Sequence, residues 1–131
     1  MNEPVFLTLA EVLAVHKVQI ELYGGTHGIR ETGLLESAVA MPQAGFGDQL
    51  LHKTVWEMAA AYAYHISENQ PFLDGNKRTG LACALTFLDL NGVEVDDPEG
   101  LLYGAMIEVG TQKRDKKGLA ALLESLSPKV G

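Results

Sequence analysis

Several features are scarce or absent in this sequence of 131 residues, and each absence narrows the class of protein. The single cysteine, Cys83, excludes an internal disulfide and is expected to be a small buried hydrophobe. No basic-then-apolar leader is present, and no apolar run reaches the ~20 residues that span a bilayer. Positive charge is also scarce, with a formal net charge of -7, which disfavours nonspecific nucleic-acid binding. We therefore expect a cytoplasmic protein with no membrane partner and no direct nucleic-acid binding.

The remaining composition predicts one all-α domain spanning residues 1–131. Hydrophobic residues make up 47% of the chain, the usual share for a globular core. Apolar residues recur at helical spacing over residues 53–69, and the run of about 79–91 is apolar nearly all round. We expect a compact helical bundle around this second, buried helix. Residues 42–52 are glycine-rich and polar, and form a loop between helices.

The stretch between these two helices, residues 69–80, predicts a binding site. Pro71 should end the first helix near Gln70, and Asp74 should accept from the unpaired N–H groups of the next helix. That helix would open with Asn76 and two cations, so that backbone donors and positive charge converge on an anion. A carboxylate beside it could hold a divalent metal, which favours the phosphates of a nucleotide. A simple helix cap followed by a solvated basic turn is the alternative that these residue types leave open.

The same stretch resembles the signature of the Fic/Doc family, the filamentation-induced and death-on-curing proteins. That signature has histidine, phenylalanine, an acidic or amide residue, a small residue, asparagine, glycine or lysine, and arginine at fixed spacing. This chain matches it in order with Phe72, Asp74, Gly75, Asn76, Lys77 and Arg78. The flanking segments 28–30, 33–38 and 87–92 also resemble the death-on-curing branch, so the likeness covers nearly the whole chain.

Gln70 departs from the family at the position of its histidine. In the family, that histidine is the general base that takes the proton from a target hydroxyl, a task that suits a pKa near neutrality. A glutamine amide can orient a hydroxyl but cannot accept its proton. The resemblance therefore implies a nucleotide site that is inactive or impaired in this form.

The resemblance implies a role for each residue of the signature, with ATP as substrate and Mg²⁺ as cofactor. Asp74 would hold Mg²⁺, while Arg78 and Lys77 would bind phosphate oxygens. Backbone N–H groups of Gly75, Asn76 and Lys77 would cradle the phosphates. Asn76 would also orient a phosphate or the neighbouring loop. The implied catalytic positions are Gln70, Asp74, Lys77 and Arg78.

Two positions bear on which phosphate is transferred. AMP-transferring relatives have glycine where this chain has Lys77, and a second arginine where it has Leu81. The death-on-curing branch transfers the terminal phosphate of ATP to the hydroxyl of a target protein, for which the translation machinery is a candidate. We therefore expect a toxin of that type, restrained by a separate antitoxin. AMP transfer and a non-catalytic module that binds nucleotide or a partner are the alternatives.

Three further features receive an interpretation from the sequence. Residues 42–52 would form the small β-hairpin flap of the family, which aligns a target backbone, or else an ordinary surface loop. The glycine-rich segment 24–28 is rejected as a P-loop, because it follows a helix and lacks the terminal lysine. His16 is expected at the surface or boundary, His27 in a polar loop, and His65 in a structural role.

Overall fold

The computed structural model describes residues 3–128, and within that range the chain forms six α-helices and one short hairpin. The all-α prediction is confirmed. The single-domain prediction for residues 1–131 extends beyond the described range at both ends and stays a prediction. The elements are α1 (Leu9–Tyr23), α2 (Thr32–Ala40), a 3-10 turn (Met41–Gln43), β1 (Gly45–Phe46), β2 (Gln49–Leu50), α3 (Val55–Asn69), α4 (Asn76–Leu90), α5 (Leu101–Gly110) and α6 (Lys116–Ser125).

Side-chain caps define where several helices begin. Thr8 and Glu11 form a capping box at the start of α1, with each side chain accepting from the backbone N–H of the other residue. Thr54 Oγ1 accepts from the N–H of Glu57 at 3.1 Å, and the Asp115 carboxylate caps α6 in the same way. These local signals lie in the sequence, which is why helix positions were predictable.

The core lies around α3 and α4, which pack closely against each other. Six consecutive residues of α3, from Met58 to Ala63, are buried, and α3 also packs against α2, α5 and α6. The two helices approach closely at Gly80, where an added Cβ would lie 2.7 Å from the Ala63 carbonyl oxygen. The predicted buried helix is thus α4, but α3 is enclosed on more sides.

The predicted hairpin is present as the antiparallel pair β1 and β2. Gly45 lies opposite Leu50 and Phe46 opposite Gln49, and the Phe46 side chain is 92% exposed. A fully exposed aromatic ring on a two-residue strand contributes little to the core.

Within residues 3–128, no helix is both long and apolar enough to cross a membrane.

Candidate active site

The loop between α3 and α4 starts with an unusual backbone conformation. Gln70 follows the last residue of α3 with φ 49° and ψ 56°, a left-handed geometry that few residues other than glycine adopt readily. Arg30 stabilises this helix end, because its Nε donates to the Gln70 carbonyl at 2.7 Å and its Nη2 donates to the Asn69 carbonyl at 2.9 Å. The side chain of Gln70 is thereby placed at the exposed edge of the loop.

The segment preceding α2 lines one side of this loop. Arg30 and Glu31 donate their backbone N–H groups to the Pro71 carbonyl, and Leu73 donates its N–H to the Gly28 carbonyl at 3.0 Å. Inside the loop, the Asn76 side chain accepts from the Phe72 N–H and donates to the Phe72 carbonyl, both at 3.0 Å. The Asn76 amide therefore orients the loop, and its backbone N–H has no acceptor among the described residues.

The backbone N–H groups in the first turn of α4 have no hydrogen-bond acceptor among the described residues. Gly75, with φ 79°, precedes the helix and provides no side-chain cap. The first backbone bond of α4 runs from the Thr79 N–H to the Gly75 carbonyl at 2.9 Å. Among the described residues, the four N–H groups from Gly75 to Arg78 have no acceptor. Such a turn binds anions through its donors and its dipole.

The predicted capping of α4 by Asp74 is wrong. Its Oδ2 instead accepts from the N–H of Thr26 at 2.7 Å, in the glycine-rich loop after α1. Gly25 allows this approach, since an added Cβ there would lie 3.1 Å from the Asp74 Cβ. The loop that was rejected as a P-loop therefore contributes to the site by orienting this carboxylate.

Asp74 keeps one carboxylate oxygen without a hydrogen bond among the described residues. Within residues 3–128, no cluster of three or more metal-binding side chains is present. A single carboxylate fits Mg²⁺ of the kind that is bound chiefly through substrate phosphates and water, and it does not fit a metal caged by protein alone.

His16 is buried beneath the loop, so its predicted position at the surface or boundary is wrong. Its side chain is 5% exposed, its ring stacks on Phe72 with centroids 3.8 Å apart, and its Nε2 donates to the Asp74 carbonyl at 2.9 Å. Burial lowers the pKa of His16, which favours the neutral imidazole. Because this nitrogen is already committed, His16 supports the loop and does not replace a base at position 70.

The two cations of the signature contact other helices. The stem of Lys77 lies against Gly110 at the end of α5, where an added Cβ would meet its Cε at 2.7 Å. The guanidinium carbon of Arg78 lies 4.0 Å from the ring centre of Tyr23 and 4.6 Å from that of Tyr103. Neither tyrosine was singled out in the sequence, since each lies far from the signature.

All six predicted site residues line one cleft of about 370 Å³. The cleft is open to solvent and is also bordered by α1, the glycine-rich loop and α5. Its lining comprises Gln70, Asp74, Gly75, Asn76, Lys77 and Arg78, together with Gln19, Tyr23, Gly24, Gly25, Leu73 and Tyr103.

His65 does not line this cleft. Its Nε2 accepts from Lys116 Nζ at 3.0 Å, at the start of α6. Burial and the positive charge of Lys116 lower the pKa of His65 to about 4. This environment agrees with the predicted structural role. His27 is exposed, as predicted for a polar loop.

The chain belongs to the Fic/DOC family, whose model matches residues 6–88. It is 40% identical over 107 residues to Toxin Doc of Mycolicibacterium smegmatis, covering 77% of this chain and 79% of that protein. It is 37% identical over 90 residues to Protein kinase doc of Escherichia phage P1, covering 68% and 71%. The predicted membership of the death-on-curing branch is therefore confirmed.

Proposed function

We propose that this chain is the toxin of a toxin–antitoxin pair, with a site that transfers the terminal phosphate of ATP to a hydroxyl of a target protein. We further propose that Gln70 leaves this activity impaired. The observation that carries the proposal is the cleft in which the free N–H groups of α4 meet Lys77, Arg78 and Asp74. The names of the two relatives, a toxin and a protein kinase, support the same reaction class.

The residues of the cleft suit phosphate binding and positioning. The N–H groups of residues 75–78 would bind phosphate oxygens at the helix N-terminus, and Lys77 and Arg78 would add positive charge. Asp74 would hold Mg²⁺ together with the phosphates, and this metal supplies neutralisation of the triphosphate charge. Phosphoryl transfer depends mainly on such positioning and charge stabilisation.

Gln70 would then occupy the place of the general base. Its amide can donate to or accept from a target hydroxyl, but it does not take up a proton near neutrality. A general base contributes about 10²–10⁴-fold to such a step. Substrate binding should therefore persist in this chain while turnover is low. The left-handed backbone at position 70 also suits histidine, which is enriched in that region among residues other than glycine.

The partners follow from the same assignment. We propose a separate antitoxin that restrains the toxin, and a target protein whose backbone pairs with the exposed β1–β2 hairpin. If Gln70 abolishes chemistry altogether, the chain is a module that binds nucleotide or a partner. AMP transfer is disfavoured because AMP-transferring relatives have glycine at the position of Lys77 and arginine at that of Leu81.

The test compares this chain with the Gln70→His variant in a cell lysate that contains ATP labelled at either the α or the γ phosphate. We expect γ label on a protein with the histidine form, and at least about 100-fold less with the Gln70 form. The α label on a protein would establish AMP transfer instead. Absence of both labels, with ATP still bound, would establish the non-catalytic module.

A matched control is Gln70→Asn, which keeps an amide at the same backbone position and should stay as inactive as the parent. A second control combines Gln70→His with Asp74→Asn, and it should lose the label because the carboxylate is gone. Equal labelling by the Gln70 and histidine forms would contradict the role assigned to position 70.

A further inference from the structure

Arg78 differs from the other two arginines of the chain in what it contacts. Arg30 donates to two backbone carbonyls, and Arg114 forms an ion pair with Glu108 at 2.8 Å. Among the described residues, Arg78 has neither a hydrogen bond nor an ion pair, although it is half-buried in the cleft. Its N–H donors are therefore free to bind a ligand.

Two aromatic rings lie close to the guanidinium group of Arg78. Tyr23 is the last residue of α1, and Tyr103 lies in the first turn of α5, so the rings come from two separate helices. The guanidinium carbon lies 4.0 Å from one ring centre and 4.6 Å from the other, within the range of cation–π attraction. Both rings line the cleft.

The face of α5 that carries Tyr103 also supports the neighbouring cation. Gly110 lies seven residues further along, two turns of the helix, and therefore on the same face. The Lys77 stem rests on Gly110, where a larger side chain would collide with it. One face of α5 thus contacts both cations that the signature contributes.

We propose that Tyr23 and Tyr103 are positioning residues of the phosphate site, which hold Arg78 through cation–π contacts and leave its N–H donors for phosphate. This inference rests on the proposed function of the cleft. An aromatic ring restricts the rotamers of arginine without accepting its hydrogen bonds. A carboxylate in the same place would compete with phosphate for the donors and repel its charge. The two rings therefore orient the guanidinium group without adding a negative charge that would repel phosphate.

The test measures the affinity of the full chain for inorganic tripolyphosphate with Mg²⁺ by calorimetry, because this probe has no base that could stack on tyrosine. Replacing both rings (Tyr23→Leu with Tyr103→Leu) should weaken binding by about 3–30-fold. The matching pair of phenylalanine substitutions keeps both ring faces and should bind within about twofold of the parent. Loss of binding with phenylalanine would overturn the inference.

A double-mutant cycle with Arg78→Ala decides whether the rings act through Arg78. In the Arg78→Ala background, the two leucine substitutions should cause no further loss of affinity. An equal loss in both backgrounds would overturn the proposal and indicate a structural role.

Tyr64→Leu, which removes a tyrosine outside the cleft, should leave affinity unchanged. If the parent chain binds neither tripolyphosphate nor ATP, the proposed function fails together with this inference; if it binds but the cycle shows no coupling, only the inference fails.

Discussion

At the scale of single residues, His16 connects α1 to the loop that carries the signature. Its ring is stacked on Phe72 and its Nε2 bonds the Asp74 carbonyl, so one side chain holds two signature residues. The contact joins positions 58 residues apart in the sequence. A signal for it does exist, since Val12, His16 and Ile20 recur every four residues and form the buried stripe of α1.

Removing this side chain should loosen the loop. His16→Ala is expected to lower the free energy of unfolding by roughly 2 kcal/mol, through the lost hydrogen bond and the cavity against Phe72. The exposed His27→Ala serves as the control and should stay within about 0.5 kcal/mol of the parent. Urea denaturation followed by circular dichroism measures both. Equal effects at the two positions would contradict the support role of His16.

The sequence predicted the side of the cleft that residues 70–78 form, and it missed the tyrosines that α1 and α5 contribute. The residues from Gln70 to Arg78 are neighbours in the chain, so their proximity follows from one turn and one helix start. Tyr23 and Tyr103 line the same cleft only through the packing of α1 and α5, which no local pattern specifies. The contact of Thr26 with Asp74 depends on the same packing. The wrong capping role of Asp74 has the same origin, because a distant N–H group took the acceptor.

At the scale of elements, the distance between α3 and α4 depends on a glycine inside a helix. Gly80→Ala should destabilise the protein by about 2–3 kcal/mol, because the new Cβ would lie 2.7 Å from the Ala63 carbonyl oxygen. This reverses the usual gain of about 1 kcal/mol when alanine replaces glycine in a helix. Thermal unfolding of the variant measures the effect.

Gly104 on α5 provides the matched control for this substitution. An added Cβ there meets no atom within 4 Å, so Gly104→Ala should stabilise the protein by about 0.5–1 kcal/mol. A gain at both glycines would show that α3 and α4 can separate slightly without cost. The helix α4 would then tolerate movement close to its first turn, which borders the cleft.

The elements themselves were largely predictable from the sequence. Apolar spacing located the two central helices at residues 53–69 and about 79–91, and the hairpin lies within the predicted stretch 42–52. What the sequence did not reveal is that α3 packs against more elements than α4. The reason is that the small buried residues of α3 have weak apolar signals, although they permit close helix approach; they are Ala59, Ala60, Ala61 and Ala63.

At the scale of the whole molecule, three buried or half-buried histidines make stability depend on pH. Burial lowers the pKa of His16 and of His52, and burial with the charge of Lys116 lowers that of His65 to about 4. In the unfolded chain these groups titrate near 6.5, so between about pH 6.5 and 4 the unfolded state binds more protons. The contribution of these histidines to the free energy of unfolding is therefore fully present above about pH 6.5, and it should decrease as the pH falls below that value.

Urea denaturation at pH 7.5, 6 and 5 measures this dependence. We expect the midpoint to fall with pH, and His65→Gln should reduce the slope because one of the shifted groups is removed. His27→Gln is the control at an exposed position. An unchanged slope in the His65 variant would contradict the assigned cause.

The contacts of Asp74 have a consequence for how such proteins are recognised in genomes. Its carboxylate is held by Thr26 and its carbonyl by His16, both of which precede the signature by more than forty residues. A gene product that began after Gly28 would still contain every signature residue that this chain has, from Phe72 to Arg78. It would lack the imidazole and the N–H group that give Asp74 its orientation. A matching motif therefore indicates common descent only. Whether Asp74 is oriented as in this structure depends on α1 and the loop that follows it.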